Sequence, residues 1–330
     1  MKVDLAMNVI SAGNTSKART AVLAAAAAIV ATAAPYSFAG GSTPQAARSG
    51  QKPTVVLVHG TNLDASSWNG VISRLQADGY PVVAVANPLR GLAYDSAYTA
   101  SVLRSISGPI ILAGHSYGTS VANEVALGNS NVKAIVSVAG FLPVKGETTG
   151  GLVAKYPGST LGSTLQKVPY PMPGGGTGTE LYVKQDLFPQ QFAQDVPLND
   201  TRILAAGQRP VDAKFGDGVF TGAAWSKIPA YDVVTVQDHN IPVAVQRWMV
   251  KRAKATAVEL NSSHVAPVSH PGEVTDLIER AATEQVSGAP AGHMASTGQS
   301  YTTITGWVAA AMTAVGTGLV VVLRRRRRCS

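Results

Sequence analysis

Short runs of apolar, mostly β-branched residues alternate along the chain with longer segments in which apolar residues recur at helical spacing. The apolar runs predict six strands, at 54–58, 82–86, 109–113, 132–138, 232–236 and 256–260. The amphipathic segments predict five helices, at 67–77, 93–105, 117–127, 242–252 and 271–283. Near-continuous apolar strands separated by helices are typical of a parallel sheet buried on both faces. We therefore predict an α/β fold with a mostly parallel sheet and helices on both sides.

The alternation stops between about residues 142 and 228. Eight prolines and the glycine run 174–176 fall in this segment. Prolines at this density are incompatible with long helices or central strands. A segment of this length inside a compact domain is typically functional, so we interpret it as a cap over a site. The predicted domain spans 52–285, between an N-terminal linker at 40–51 and a second linker at 286–293.

Charge is concentrated at the two ends of the chain. The 330 residues are 45% hydrophobic and 14% charged, which excludes a disordered chain, and the net charge is +8. Between residues 40 and 297, however, 19 Lys and Arg face 18 Asp and Glu, so no nucleic-acid partner is expected. The single cysteine is Cys329, which leaves the domain without a thiol for a disulfide, a metal site or a nucleophile.

The N-terminal segment has the order of a secretory signal peptide. Lys17 and Arg19 precede an apolar run at 21–34, and the small residues Ser37 and Ala39 follow it. This charged, apolar and small-residue order predicts that residues 1–39 direct export. An Ala-rich helix of the domain, or an uncleaved membrane anchor, are the alternatives.

The C-terminal segment resembles a surface-anchoring signal. Residues 304–323 carry no charge and are long enough to span a bilayer, and the arginines at 324–328 would keep the tail 324–330 in the cytoplasm. Upstream, Met294-Ala295-Ser296-Thr297-Gly298 resembles the Leu-Ala-x-Thr-Gly sorting motif of Gram-positive surface proteins, with Met in place of Leu. The resemblance implies that a sortase-type transpeptidase cuts between Thr297 and Gly298 and joins the protein to peptidoglycan. Without processing, the protein would be a single-pass membrane protein, and a core helix is the other alternative for 304–323.

The sequence Gly114-His115-Ser116-Tyr117-Gly118 lies between a predicted strand and a predicted helix. This is the arrangement of a nucleophile elbow, in which a tight turn exposes a serine hydroxyl and the glycines allow close backbone approach. Ser116 is therefore the candidate nucleophile. No cofactor is needed for such chemistry.

A serine nucleophile needs a base and an acid that orients the base. Asp238 follows the predicted strand at 232–236, and His264 follows the one at 256–260, in the order nucleophile, acid, base. Order alone leaves rivals for both roles, which are Asp212 and Asp232 for the acid and His239 and His270 for the base.

His59-Gly60-Thr61 ends the first predicted strand, where an oxyanion donor is expected. The backbone N–H groups of Thr61 and Tyr117 are the candidate oxyanion hole. We interpret His59 as structural. Trp68 either lines the pocket or packs beneath it.

Four groups of residues carry a resemblance to a known family: the elbow, His59-Gly60 with Ser66-Ser67-Trp68, Asp238 with Ile241-Pro242, and Ser263-His264 with Ser269-His270-Pro271. Residues 52–282 are similar to the α/β-hydrolase superfamily, in particular to compact bacterial esterase-like members related to plant methylesterases and hydroxynitrile lyases. Thr119-Ser120 stands where relatives often have Gly or Ala. The resemblance implies a serine esterase acting on a small-molecule ester, and the two end segments predict that it is exported and attached to the surface. A lyase homologue and a catalytically silent surface binding module are the alternatives.

Overall fold

A computed structural model describes residues 52–286. The strands are β1 Thr54–Val58, β2 Val82–Val85, β3 Ile110–His115, β4 Val132–Val138, β5 Leu165–Pro171, β6 Thr177–Val183, β7 Val211–Asp212, β8 Ala230–Thr235 and β9 Thr256–Leu260. The helices are α1 Asn69–Ala77, α2 Leu92–Arg104, α3 Tyr117–Leu127, α4 Thr149–Val153, α5 Leu161–Thr164, α6 Phe188–Phe192, α7 Leu198–Ala206, α8 Val243–Ala253, α9 Ala266–Ser269 and α10 Pro271–Val286. Two short 3-10 helices are Ala65–Trp68 and Ala224–Ser226.

Six strands form one parallel sheet in the order β2-β1-β3-β4-β8-β9. Alternate residues of β1 enter opposite cores: Val55 and Leu57 pack toward α1 and α10, whereas Val56 and Val58 pack toward α2, α3 and α8. Because both faces are covered, all six residues of β3 are buried. The predicted architecture, a mostly parallel sheet with helices on both sides, is confirmed.

The predicted bounds of the sheet elements differ from the observed bounds mainly at the ends. Strand β8 begins at Ala230 rather than at 232. Helix α1 begins at Asn69 rather than at 67, because residues Ala65–Trp68 form a 3-10 helix. The Asp64 side chain caps this 3-10 helix by accepting a hydrogen bond from Ser66 N. Parallel strands end at one edge of the sheet, so the loops after β1, β3, β8 and β9 all open on the same side. That edge carries the candidate site.

The insertion is more regular than the sequence indicated. It contains an antiparallel sheet in the order β5-β6-β7, together with the short helices α4 to α7. Pro169 and Pro171 lie in β5, an edge strand, where a missing N–H costs no pairing on the open side. An ion pair of 2.6 Å between Arg90 and Glu180 joins the insertion to the loop after β2.

Most predictions for the chain ends lie outside the described residues: the signal peptide at 1–39, the linker at 40–51, the sorting motif at 294–298 and the span at 304–323. Of the linker predicted at 286–293 only Val286 is described, and it is the last residue of α10 rather than part of a linker. Between residues 52 and 286, no helix has both the length and the apolar character needed to cross a membrane.

Candidate active site

Ser116 lies in the turn that connects β3 to α3. Its φ of 52° and ψ of −128° fall in a region that residues with a side chain rarely adopt, at a cost of about 1–3 kcal/mol. Two hydrogen bonds hold the turn: Ser116 N donates to Val138 O at 2.9 Å, and Thr119 N donates to Ser116 O at 2.9 Å. The side chain is consequently presented at the edge of the sheet, with 6% of the residue exposed.

The glycines around Ser116 allow the backbone segments to touch. A Cβ on Gly114 would lie 2.5 Å from Thr119 N, and one on Gly60 would lie 2.7 Å from Ser116 Cβ. A Cβ on Gly118 would overlap the carbonyl oxygen of Val58. The strand, the turn and α3 can therefore pack this closely only without side chains at these positions.

His264 and Asp238 form a buried pair. His264 Nδ1 lies 2.7 Å from Asp238 Oδ2, and both side chains are essentially inaccessible to solvent. An ionised carboxylate only accepts, so Nδ1 carries the proton and donates it, which leaves Nε2 unprotonated in the neutral ring. The geometry suits a base that receives a proton at Nε2.

Four further donors reach the Asp238 carboxylate. Oδ1 accepts from the backbone N–H groups of Asn240 and Ile241, at 2.7 and 2.9 Å. Oδ2 also accepts from Thr235 Oγ1 and Gln246 Nε2, at 2.9 and 3.1 Å. Burial alone would raise the pKa of Asp238, but the His264 ring and these hydrogen bonds outweigh it and hold the pKa below its ordinary value.

The rival acids lie elsewhere. Asp232 is buried within β8, paired in register with Ser137, and burial raises its pKa to about 7, against a smaller lowering effect of the Ser137 hydroxyl. Asp212 belongs to β7 of the insertion and accepts a hydrogen bond of 2.7 Å from Tyr170 Oη. Of the three acids considered, the structure brings Asp238 to His264.

The rival histidines also have other partners. His270 lies 3.6 Å from Asp195 and 3.5 Å from Glu273, at the start of α10. His239 Nδ1 contacts Gln190 O at 3.0 Å, near the surface. His59 is buried, its Nδ1 contacts the adjacent Gly60 O at 2.9 Å, and burial lowers its pKa to about 4.

His115, which the sequence analysis left without a role, supports the base from behind. Its Nε2 donates to the carbonyl oxygen of His264 at 2.8 Å, and the two rings lie 4.8 Å apart. Burial, and then the His264 ring, lower the pKa of His115 to about 3, so it stays neutral. Trp68 packs edge-on against His115 with ring centroids 6.4 Å apart, which places it beneath the site. The position of His115 beside Ser116 was the signal in the sequence.

The candidate oxyanion donors flank Ser116. Tyr117 is the first residue of α3, so its backbone N–H has no partner within the helix. Thr61 follows β1, in a loop that Asn62 fixes by donating from Nδ2 to Leu181 O at 3.0 Å. Both candidate donors belong to residues that line the same cavity as Ser116.

A cavity of about 380 Å³ is lined by Ser116, His264 and the two candidate oxyanion residues. Most of its wall comes from the insertion, including residues 149–161. None of the described residues lining it is Asp, Glu, Lys or Arg. Its larger apolar side chains are Phe141, Val153, Tyr156, Leu161, Phe192, Phe215 and Ile241. Such a wall favours an uncharged ligand, because a buried unpaired charge is costly.

Comparisons with known proteins bear on the fold and the family. A model of the alpha/beta hydrolase family matches residues 55–277. Methylesterase 8 of Arabidopsis thaliana is 26% identical over 219 residues, which cover 60% of this chain and 77% of that protein. The alpha/beta hydrolase nvfD of Aspergillus novofumigatus is 26% identical over 264 residues, covering 71% of this chain and 98% of that protein. The crystal structure of polyneuridine aldehyde esterase superposes with a TM-score of 0.61 at 20% identity, covering 70% of this chain and 99% of that one.

Proposed function

The chain belongs to the alpha/beta hydrolase family, and we propose that it is a serine esterase that cleaves a small, uncharged carboxylic ester through an acyl-enzyme. The observation that carries this proposal is the 2.7 Å contact between His264 Nδ1 and Asp238 Oδ2, with His264 and Ser116 lining the same cavity. The similarity to a protein named as a methylesterase supports the choice of an ester.

In the first half of the proposed reaction, Ser116 Oγ attacks the ester carbonyl carbon while His264 Nε2 takes the hydroxyl proton. Asp238 holds the resulting imidazolium in place. The backbone N–H groups of Thr61 and Tyr117 donate to the oxyanion of the tetrahedral intermediate. Collapse breaks the bond to the alcohol oxygen, which leaves with the proton from His264, and the acyl group stays on Ser116.

In the second half, water attacks the acyl carbon and gives its proton to His264. The new tetrahedral intermediate collapses, Ser116 Oγ leaves and regains the proton, and the carboxylic acid departs. The sum is one ester and one water converted to one acid and one alcohol. All steps use the same base and the same oxyanion donors.

A fluorophosphonate probe tests the proposal. The probe should label the wild type at Ser116 and should not label Ser116→Ala, and the wild type should release carboxylic acid from simple p-nitrophenyl esters. Labelling without acid release, but with elimination products from cyanohydrins, would favour a lyase. Absence of both labelling and turnover would favour a silent binding module.

We also propose that the protein is exported and attached to the cell wall, on the strength of the sequence at 1–39 and 294–328. In its native host, the protein should stay in the wall fraction after detergent extraction and be released by a muralytic enzyme. Thr297→Ala should shift it to membranes or medium, whereas Ser296→Ala, at the variable position of the motif, should not. Complete release of the wild type by detergent would contradict wall attachment and leave a membrane anchor.

A further inference from the structure

A second buried carboxylate, Asp95, lies close to the elbow. It sits in the first turn of α2 and is inaccessible to solvent. Its Oδ1 accepts from Arg90 N at 2.9 Å, and its Oδ2 accepts from Gly91 N at 3.2 Å. The third donor is the phenol of Tyr117, whose Oη lies 2.8 Å from Oδ2. This carboxylate therefore bridges the loop after β2 and the residue that follows Ser116.

Asp95 is held by hydrogen bonds, and the neighbouring guanidinium pairs with another carboxylate. Arg90, whose backbone donates to it, directs its guanidinium to Glu180, 2.6 Å away. Burial raises the pKa of Asp95, and the three hydrogen bonds oppose that rise. A buried carboxylate with these partners holds the phenol and the loop in place, because moving either one would leave a carboxylate oxygen without a donor.

Tyr117 couples this carboxylate to the proposed oxyanion hole. Its side chain is 1% exposed and bonded to Asp95, while its backbone N–H is a proposed oxyanion donor. The phenol ring also packs edge-on against Phe215 of the insertion, with centroids 5.4 Å apart. The Tyr117 N–H shares a planar peptide unit with Ser116 O, which accepts from Thr119 N at 2.9 Å. The buried phenol is a second anchor for this residue, on the side away from the turn.

The same loop also reaches the other oxyanion donor. Asn87, buried just after β2, donates from Nδ2 to His59 O at 3.2 Å. His59 precedes the Gly60-Thr61 turn. Both proposed donors are thus tied, through Asn87 on one side and Asp95 on the other, to one short stretch of chain between β2 and α2.

We propose that Asp95 is a positioning residue, which, through the Tyr117 phenol, acts together with the backbone bonds of the turn to hold the Tyr117 N–H toward the oxyanion. This inference rests on the proposed esterase function. It assigns Asp95 no contact with substrate. Removing one oxyanion donor outright costs about 10²–10³ in kcat, so misdirecting a donor should cost a smaller factor.

The test compares Tyr117→Phe with wild type, because this change removes one hydroxyl and keeps the ring against Phe215. We expect kcat for a p-nitrophenyl ester to fall by about tenfold, with KM within about twofold. The affinity of a trifluoromethyl ketone, whose tetrahedral adduct places an oxyanion in the hole, should fall by the same factor as kcat/KM. Asp95→Asn should lower kcat and inhibitor affinity by a similar factor. The variant that combines both substitutions should lose little more activity than either one alone, because the two residues act as a unit.

Tyr231→Phe is the matched control. Tyr231 is also 1% exposed and donates to a carboxylate, Glu284 Oε2, at 2.6 Å, but on the face covered by α10. The Tyr231→Phe substitution should lower thermal stability about as much as Tyr117→Phe does, and it should leave kcat unchanged. Wild-type kcat and inhibitor affinity in Tyr117→Phe, or an equal loss of kcat in Tyr231→Phe, would overturn the inference. An inactive wild type would instead overturn the proposed function, and the inference with it; if Asp95→Asn does not fold, Tyr117→Phe decides alone.

Discussion

His264 Nδ1 and Asp238 Oδ2 are 2.7 Å apart, and the opposite oxygen of the same carboxylate accepts two backbone N–H groups. Because both carboxylate oxygens are committed, the acid cannot rotate without losing several hydrogen bonds. The loop after β8 therefore orients the imidazole through Asp238.

Asp238→Asn should lower kcat by about 10⁴-fold while the protein still folds. The amide oxygen would take the two backbone donors of Asn240 and Ile241, which turns the NH₂ group toward His264. His264 Nδ1 would then have to accept, which places the proton on Nε2 and prevents it from taking the serine proton. Steady-state kinetics measure the loss. Asp212→Asn provides the control, and a comparable loss of kcat in that variant would reassign the acid.

The charge-free cavity predicts selectivity against charged substrates. The kcat/KM for p-nitrophenyl hexanoate should exceed that for the p-nitrophenyl monoester of adipic acid by about 100-fold, since a carboxylate in this cavity would be unpaired. Val153→Lys should lower this ratio of kcat/KM values by adding a cation to the cavity wall, whereas Val153→Met should leave the ratio unchanged. Equal kcat/KM values for the two esters in the wild type would contradict an uncharged site.

Stability should depend on pH through Asp232, whose pKa is raised from 3.8 to about 7. A carboxyl with a raised pKa binds its proton more tightly in the folded state, so the free energy of unfolding falls as pH rises from about 4 to about 7 and then levels off. Asp232→Asn removes this titration, so the free energy of unfolding of the variant relative to wild type should rise by on the order of a few kcal/mol as pH increases from about 4 to about 7. Urea unfolding at pH 5, 6, 7 and 8 measures the difference, and a difference that does not change with pH would contradict the assignment.

The two ends of α3 provide a packing test. Gly118→Ala should destabilise the fold by about 3 kcal/mol or more, because its Cβ would overlap backbone oxygen in β1 rather than a movable side chain. Gly128→Ala, where nothing lies within 4 Å of the new Cβ, should change the free energy of unfolding by less than about 1 kcal/mol. Thermal unfolding compares the two, and equal shifts would show that the close approach at Gly118 is not limiting.

The sheet was predictable from the sequence because its central strands β1, β3, β4 and β8 are buried almost throughout, which leaves long apolar runs such as that of β3. The antiparallel sheet of the insertion was not. Strand β5 is an edge strand that carries two prolines, and its partly buried residues follow no regular alternation and none of its residues is fully buried, so its pattern is weak. A prediction from local pattern has little signal for such a strand.

The candidate site was predictable in outline because the residues after strands of a parallel sheet meet at one edge. The order of residues in the sequence left three acids as candidates for orienting the base. The conformation of the loop after β8 is what brings Asp238 to His264. The contact between His115 and the His264 carbonyl joins residues 149 positions apart. Asp95 likewise meets Tyr117 through a loop conformation that local sequence patterns do not specify.

The most direct test of the central proposal is the detection of an acyl group on Ser116. The wild type, mixed rapidly with p-nitrophenyl acetate and quenched in acid, should show a burst of nitrophenol close to one per active site. Mass spectrometry should find the acetyl group on the peptide containing Ser116, and Ser116→Ala should show neither the burst nor the acetyl group. Steady turnover by Ser116→Ala at the wild-type rate, or an acetyl group only on another residue, would contradict the proposed mechanism.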